Sequence, residues 1–165
     1  MTGREGITPM TNEIERKFLV KEIPEGLENF PASEISQGYL AATGDDTEIR
    51  IRKKGNKFFE TVKSGKGLSR KEVEVGIGEK AFRSLWPLTE GMRVEKTRHE
   101  IPYGGLVIEL DVFSGPLAGL VIAEVEFASE EESARFIPPE WLGREITDDV
   151  RYSNRHLALY GRPEE

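Results

Sequence analysis

The chain has 165 residues, 30 acidic against 23 basic side chains, a net charge of −7 and no cysteine. That length fits one ordinary domain with a buried core, the acidic balance argues against general nucleic-acid binding, and the missing thiols exclude disulfides and thiolate metal centres. With His99 and His156 the only imidazoles, a metal site would be built from oxygen, which favours Mg²⁺ or Mn²⁺ over zinc. No apolar run approaches the ~20 residues that span a bilayer and no secretory signal precedes Glu13. A soluble, cytoplasmic protein with no membrane partner is expected.

Residues 1–10 read as a flexible leader, with Met10 an alternative start, and 11–162 as a single domain. The first strand is expected over 12–20, where Glu13, Glu15 and Lys17 alternate with Ile14, Phe18 and Val20 on the other face. Pro24, Gly26 and Pro31 mark a loop before a second strand at 35–41. Thr43-Gly44-Asp45-Asp46 is a turn by composition. It leads into 47–53, where Glu48, Arg50 and Arg52 oppose Ile49 and Ile51. Lys54-Gly55-Asn56 is a hairpin signal before a strand at 57–63. Ser64-Gly65-Lys66-Gly67 lacks the spacing of a phosphate-cradling loop and reads as a turn.

Alternation resumes at 70–75, with Glu72 and Glu74 against Val73 and Val75. The spacing turns helical over 79–85, ended by Pro87. Further strands are expected at 92–101, 106–113 and 120–127. Ser129 with Glu132 forms a capping box for a helix at 130–136, and Thr147 and Asp148 open a last helix over 148–159, closed by Gly161 and Pro163. About eight mostly antiparallel strands with three short helices suggest a closed sheet or a sandwich.

An antiparallel sheet with one wet face ordinarily mixes charges on that face. Here the same-face neighbours carry like charge: Glu13 with Glu15, Arg50 with Arg52, Glu72 with Glu74, Glu109 with Asp111, Glu124 with Glu126. Like charges side by side repel unless a ligand of opposite sign spans them. Closing the sheet into a barrel would turn those faces inward around one small ligand, and the acids and bases together point to a metal and a polyanion. For 92–101, alternation does not choose between the Lys96–Arg98 face and the face of Arg93, Glu95 and Thr97.

Glu13-Ile-Glu-Arg-Lys17 resembles the ExExK signature of the CYTH superfamily, the triphosphate tunnel metalloenzymes. The resemblance continues through Gln37-Gly-Tyr-Leu40, Glu48-Ile-Arg-Ile-Arg52, Thr61-Val-Lys63, Arg70-Lys-Glu-Val-Glu74, Glu95-Lys-Thr-Arg98, Glu109-Leu-Asp111, Glu124-Val-Glu126 and Asp149-Val-Arg-Tyr-Ser-Asn154, covering 12–160. It is strongest to the short bacterial inorganic tripolyphosphatases. It implies a mainly β (α+β) fold, a closed eight-stranded antiparallel barrel forming a tunnel, with a few short flanking helices.

The resemblance also implies roles. Lys17, Arg50, Arg52, Lys63, Lys96 and Arg98 would bind the triphosphate. Glu13, Glu15, Asp111, Glu124 and Glu126 would hold metal, with Glu72, Glu74 and Glu109 as further candidates. Lys17, Arg52, Lys96 and Glu126 would carry the catalysis, with two Mg²⁺ or Mn²⁺ ions as cofactors. The implied reaction is hydrolysis of inorganic triphosphate to pyrophosphate and phosphate. The alternatives are a class IV adenylate cyclase, a thiamine triphosphatase or a polyphosphate-binding module without turnover. A homodimer is compatible with the sequence but not required by it. Glu48 reads as a strand-edge ion-pair partner, and His99 and His156 as structural or surface residues.

Overall fold

The computed structural model describes residues 14–42, 47–65 and 71–164. The leader, Glu13, the 43–46 turn, Lys66 and Gly67 of the following loop, and Arg70 lie outside the described residues. Nine strands join one antiparallel sheet there: β1 (Ile14–Val20), β2 (Ala32–Ala42), β3 (Glu48–Lys54), β4 (Lys57–Ser64), β5 (Lys71–Gly76), β6 (Arg93–Tyr103), β7 (Leu106–Phe113), β8 (Val121–Phe127) and β9 (Leu142–Glu145). Their order is β5-β4-β3-β2-β6-β7-β8-β1-β9.

The expected eight strands are therefore nine, and the hydrogen-bonded ladder is open between β5 and β9 rather than closed. The reason is local. β9 pairs with the outer edge of β1, through a register shift between Phe18 and Val20, and so occupies the edge that closure onto β5 would need. Arg16 fastens β9 there. Its guanidinium donates to both Glu145 oxygens (3.0 and 2.7 Å) and to the Ser133 carbonyl (2.9 Å), and lies over the rings of Phe18 and Phe136.

Three helices flank the sheet among the described residues: α1 (Glu79–Leu85), α2 (Glu130–Arg135) and α3 (Asn154–Tyr160). At α2, Ser129 accepts from the Glu132 N–H (3.1 Å) while Glu132 reaches back to the Ala128 N–H (3.3 Å), the reciprocal satisfaction of orphan donors expected of a capping box. The final helix is shorter than its expected span. Asp149 caps a single 3₁₀ turn at Val150–Tyr152, and Ser153 caps α3 by accepting from the His156 N–H. Thr147 is committed elsewhere, accepting from the Lys17 N–H and donating to Glu145.

Two apolar clusters hold the sheet. One backs β1, β7 and β8 with Phe18, Ile108, Leu110, Ala123 and Val125, covered by Phe136 and Leu142. The other joins Tyr39, Val94, Phe113 and Ile122 to Ile146, Tyr152, Leu157 and Ala158. The 3₁₀ turn Trp86–Thr89 lies against β2 so closely that a Cβ on Gly38 would sit 2.5 Å from Thr89 Oγ1. Arg93 secures that turn by donating to Thr89 Oγ1 (2.9 Å) and the Trp86 carbonyl (2.8 Å) while stacking over the Trp86 ring. No helix of the described residues is long and apolar enough to cross a membrane.

Candidate active site

Strand alternation carries charged side chains to one side of most strands, and the curl of the sheet brings them around one cavity of about 870 Å³. Glu15 and Lys17 of β1 and Glu72 and Glu74 of β5 line this same cavity although they stand near opposite ends of the strand order. Its volume is in the range of small-molecule sites, roughly 300–1,000 Å³, but charge dominates the lining.

Arg50 and Arg52 of β3 and Lys63 of β4 face in from one side with Glu48, Glu72 and Glu74, and Glu15, Glu109, Glu124 and Glu126 of β1, β7 and β8 from the other with Lys17. On the acidic wall, Glu15 is directly across from Glu126, and Glu109 directly across from Glu124. Opposed like charges on adjacent strands are destabilising. Burial raises the Glu109 carboxyl above the ordinary range; Glu124, Asp111 and Glu126 add to the rise, against the pull of Arg98. Lys17 relieves part of this, 3.4 Å from Glu124.

The acids beside the basic wall are instead matched with cations and donors. Glu72 is 3.9 Å from Lys63, and Thr61 donates to Glu74 (3.4 Å). Glu48, expected as a strand-edge partner, is buried in the lining, 3.9 Å from Arg50 and across from Lys63. Burial pulls the Arg52 guanidinium below its ordinary value, and neighbouring Arg50 acts in the same direction, as expected where cations are crowded to meet an anion. The buried Arg50 Nε has no hydrogen-bond partner among the described residues.

Lys96 and Arg98 turn to the inner side of β6, which settles the face that alternation left open. Arg98 lines the cavity, while Lys96 lies deeper, 2.8 Å from Asp111 and donating to Asn154 Oδ1 (3.1 Å). Burial and the nearby Arg98 hold Lys96 below the ordinary lysine range. Burial would raise the Asp111 carboxyl, but Lys96 and Arg98 outweigh it and keep it ionised. Asp111 itself does not line the cavity.

Beyond these residues the inner face becomes apolar. Val94, Phe113 and Ile122 continue the faces of Lys96, Asp111 and Glu124, and pack against Leu157 and Ala158 of α3 and against Tyr152 and Ile146. That end is filled. α3 and the residue before it add Ser153, Asn154, Arg155, His156, Leu159 and Tyr160 to the lining. His156, expected to be a structural or surface residue, is among the lining. Glu48 shares a strand face with Arg50 and Arg52, a signal that could have found it, whereas the α3 residues arrive through packing that no local pattern encodes. Of the remaining expected residues, Glu13 lies outside the described ones.

The donor set suits a hard divalent cation. The acidic wall offers carboxylate oxygens and no sulfur, with Glu15 opposed to Glu126 and Glu109 to Glu124. In this conformation no group of three or more acidic or histidine side chains converges closely enough to chelate an ion among the described residues.

Residues 11–155 match the CYTH domain, and the chain belongs to that family. Among its relatives is the inorganic triphosphatase of Nitrosomonas europaea, 51% identical over 149 residues, which span 89% of this chain and 97% of that protein. The inorganic triphosphatase of Acetivibrio thermocellus is 38% identical over 157 residues, 90% and 94% of the two chains. In three dimensions, the crystal structure of the inorganic triphosphatase NE1496 superposes with a TM-score of 0.77 at 46% identity, covering 93% of this chain and 99% of that one.

Proposed function

We propose that this chain hydrolyses inorganic triphosphate to pyrophosphate and phosphate inside the cavity, with Mg²⁺ or Mn²⁺, two ions in all, as cofactor. The observation that carries the reading is the division of one cavity into a basic wall of Arg50, Arg52 and Lys63 facing an acidic wall of Glu15, Glu109, Glu124 and Glu126. A polyanion would satisfy the first, and divalent cations would satisfy the second. The relatives named inorganic triphosphatase support the choice of substrate.

Arg50 and Arg52 can each grip two phosphate oxygens, and Lys63 and Lys17 supply point charges. Glu15, Glu124 and Glu126, with Glu109, would hold the metal; Glu13 belongs with them by its motif position, and Glu72 and Glu74 remain candidates on the opposite wall. When bound, divalent ions screen phosphate charge and acidify an attacking water. Arg52, Lys96 and Arg98 keep fixed positive charge near the transferred phosphoryl group, and preorganised charge of this kind lowers barriers most in a site poor in water. Because the end beside α3 is filled, triphosphate would enter from the other end. A cytoplasmic setting fits a cysteine-free chain acting on such a substrate.

The test is phosphate release from tripolyphosphate, ATP and thiamine triphosphate with Mg²⁺ or Mn²⁺, assaying cyclic AMP in the ATP reaction. Fast turnover of tripolyphosphate with little on the other two is expected. Cyclic AMP above background would make the protein a cyclase, and silence on all three would leave at most a binding role.

A further inference from the structure

Asp111 stands apart from the other acids of its wall. Its side chain is 1% exposed, and both carboxylate oxygens are engaged by cations. Oδ1 accepts from Arg98 Nε (2.8 Å) and Oδ2 from Arg98 Nη2 (2.9 Å), while Lys96 Nζ is 2.8 Å from Oδ2. An ionised carboxylate has about four acceptor positions, so these contacts take most of them. A divalent ion drawn to what remains would lie against an ammonium and a guanidinium, both repelling it. Glu109, on the same strand, lines the cavity and faces Glu124 instead.

We infer that Asp111 is a positioning residue for the substrate-binding cations and takes no part in holding metal. Lys96 and Arg98 occupy neighbouring inward positions on β6 and would repel each other; the carboxylate between them fixes both. It grips the Nε–Nη2 edge of Arg98 in two-point fashion, which sets the plane of the guanidinium. The Nη1 nitrogen, 3.3 Å from Glu109, is thereby presented to the cavity. Lys96 is held from its other side by Asn154, tying the floor of the cavity to α3. This assignment rests on the triphosphate reading for what the cations bind.

The full chain carrying Asp111→Asn separates the two roles by binding alone. Mn²⁺ affinity is read by the relaxation of water protons, and tripolyphosphate affinity by calorimetry in EDTA. Mn²⁺ affinity within about threefold of the unsubstituted chain, with tripolyphosphate weakened about tenfold or more, is expected; Glu124→Gln should lose Mn²⁺ affinity by a similar factor. Mn²⁺ affinity falling as far as in Glu124→Gln, or both affinities falling together with the melting temperature, would overturn the assignment. Should Asp111→Asn fail to fold, Lys96→Met with Asp111→Leu removes the buried pair as a unit; retained Mn²⁺ binding supports the inference and its loss refutes it. If the unsubstituted chain binds no tripolyphosphate, the substrate reading fails while the Mn²⁺ titration still decides whether Asp111 is a ligand.

Discussion

The β1–β8–β7 wall and the β3–β4–β5 wall face each other across one cavity, yet they tolerate charge by different means. Behind the first, Phe18, Ile108, Leu110, Ala123 and Val125 are each 2% exposed or less. A fully buried side chain of this kind contributes about 1.5–3 kcal/mol for the larger members, enough together to hold strands whose inner faces oppose Glu15 to Glu126 and Glu109 to Glu124. Behind the second, the edge strand β5 leaves Val73 45% exposed, and support comes from Phe82 of α1 between Phe58 and Trp86. There the acids lie beside Lys63, Thr61 and Arg50 rather than opposed to one another. Like charges are opposed where the backing is thick, and acids lie beside cations and donors where it is thin.

The sharpest way to break this contrast is to remove a charge from either wall. Glu126→Gln should reduce metal-dependent turnover by about 10²–10³. In EDTA the same variant should melt slightly higher, because a like-charge pair worth about 0.2–1 kcal/mol is relieved. Near-normal turnover would take Glu126 out of the metal site. On the basic wall, Arg52→Ala should cost a comparable factor and abolish the rise in melting temperature that tripolyphosphate produces in EDTA. An unchanged rise would mean that the polyanion binds elsewhere.

Stability variants come next in size. Gly38→Ala forces a methyl group into Thr89 and should cost about 1–3 kcal/mol by urea unfolding, through the turn that Arg93 secures. Arg16→Ala unfastens β9 from the edge of the acidic wall and should cost about 1 kcal/mol with turnover little changed; a large loss of turnover would show that the acidic wall depends on β9. The smallest effect concerns acid. Arg151 holds the Asp149 carboxyl down to about 2, against an ordinary 3.8. A depressed carboxyl stabilises the fold above its unfolded value and loses that contribution as pH falls through the folded one. Asp149→Asn should therefore flatten the fall in melting temperature between about pH 3.8 and pH 2.

Regular alternation made most of the sheet legible. β7 occupies the expected 106–113 and α1 the expected 79–85, because each has an uninterrupted period of its own. β9 was missed because Leu142–Glu145 is too short to establish a period and contributes one buried apolar residue, Leu142. The start of the last helix was misplaced because Thr147 and Ser153 are equally good caps in isolation. What separates them is the Lys17 N–H, a partner 130 positions away. Within the site, alternation pointed Glu15, Arg50, Arg52, Glu109, Glu124 and Glu126 to one face each, whereas Lys96 and Arg98 were named from the family motif alone. Asn154 and His156 could not be named in advance, since they reach the cavity through the packing of α3 on Val94 and Phe113.

The most direct test is anomalous diffraction from crystals of the Glu126→Gln variant grown with tripolyphosphate and Mn²⁺. Phosphate density along Arg50, Arg52 and Lys63, with an Mn²⁺ peak between it and Glu15, Glu109 or Glu124, is the expected result. Tripolyphosphate bound outside the cavity, or Mn²⁺ bound away from the acidic wall, would contradict the division of labour between the two walls.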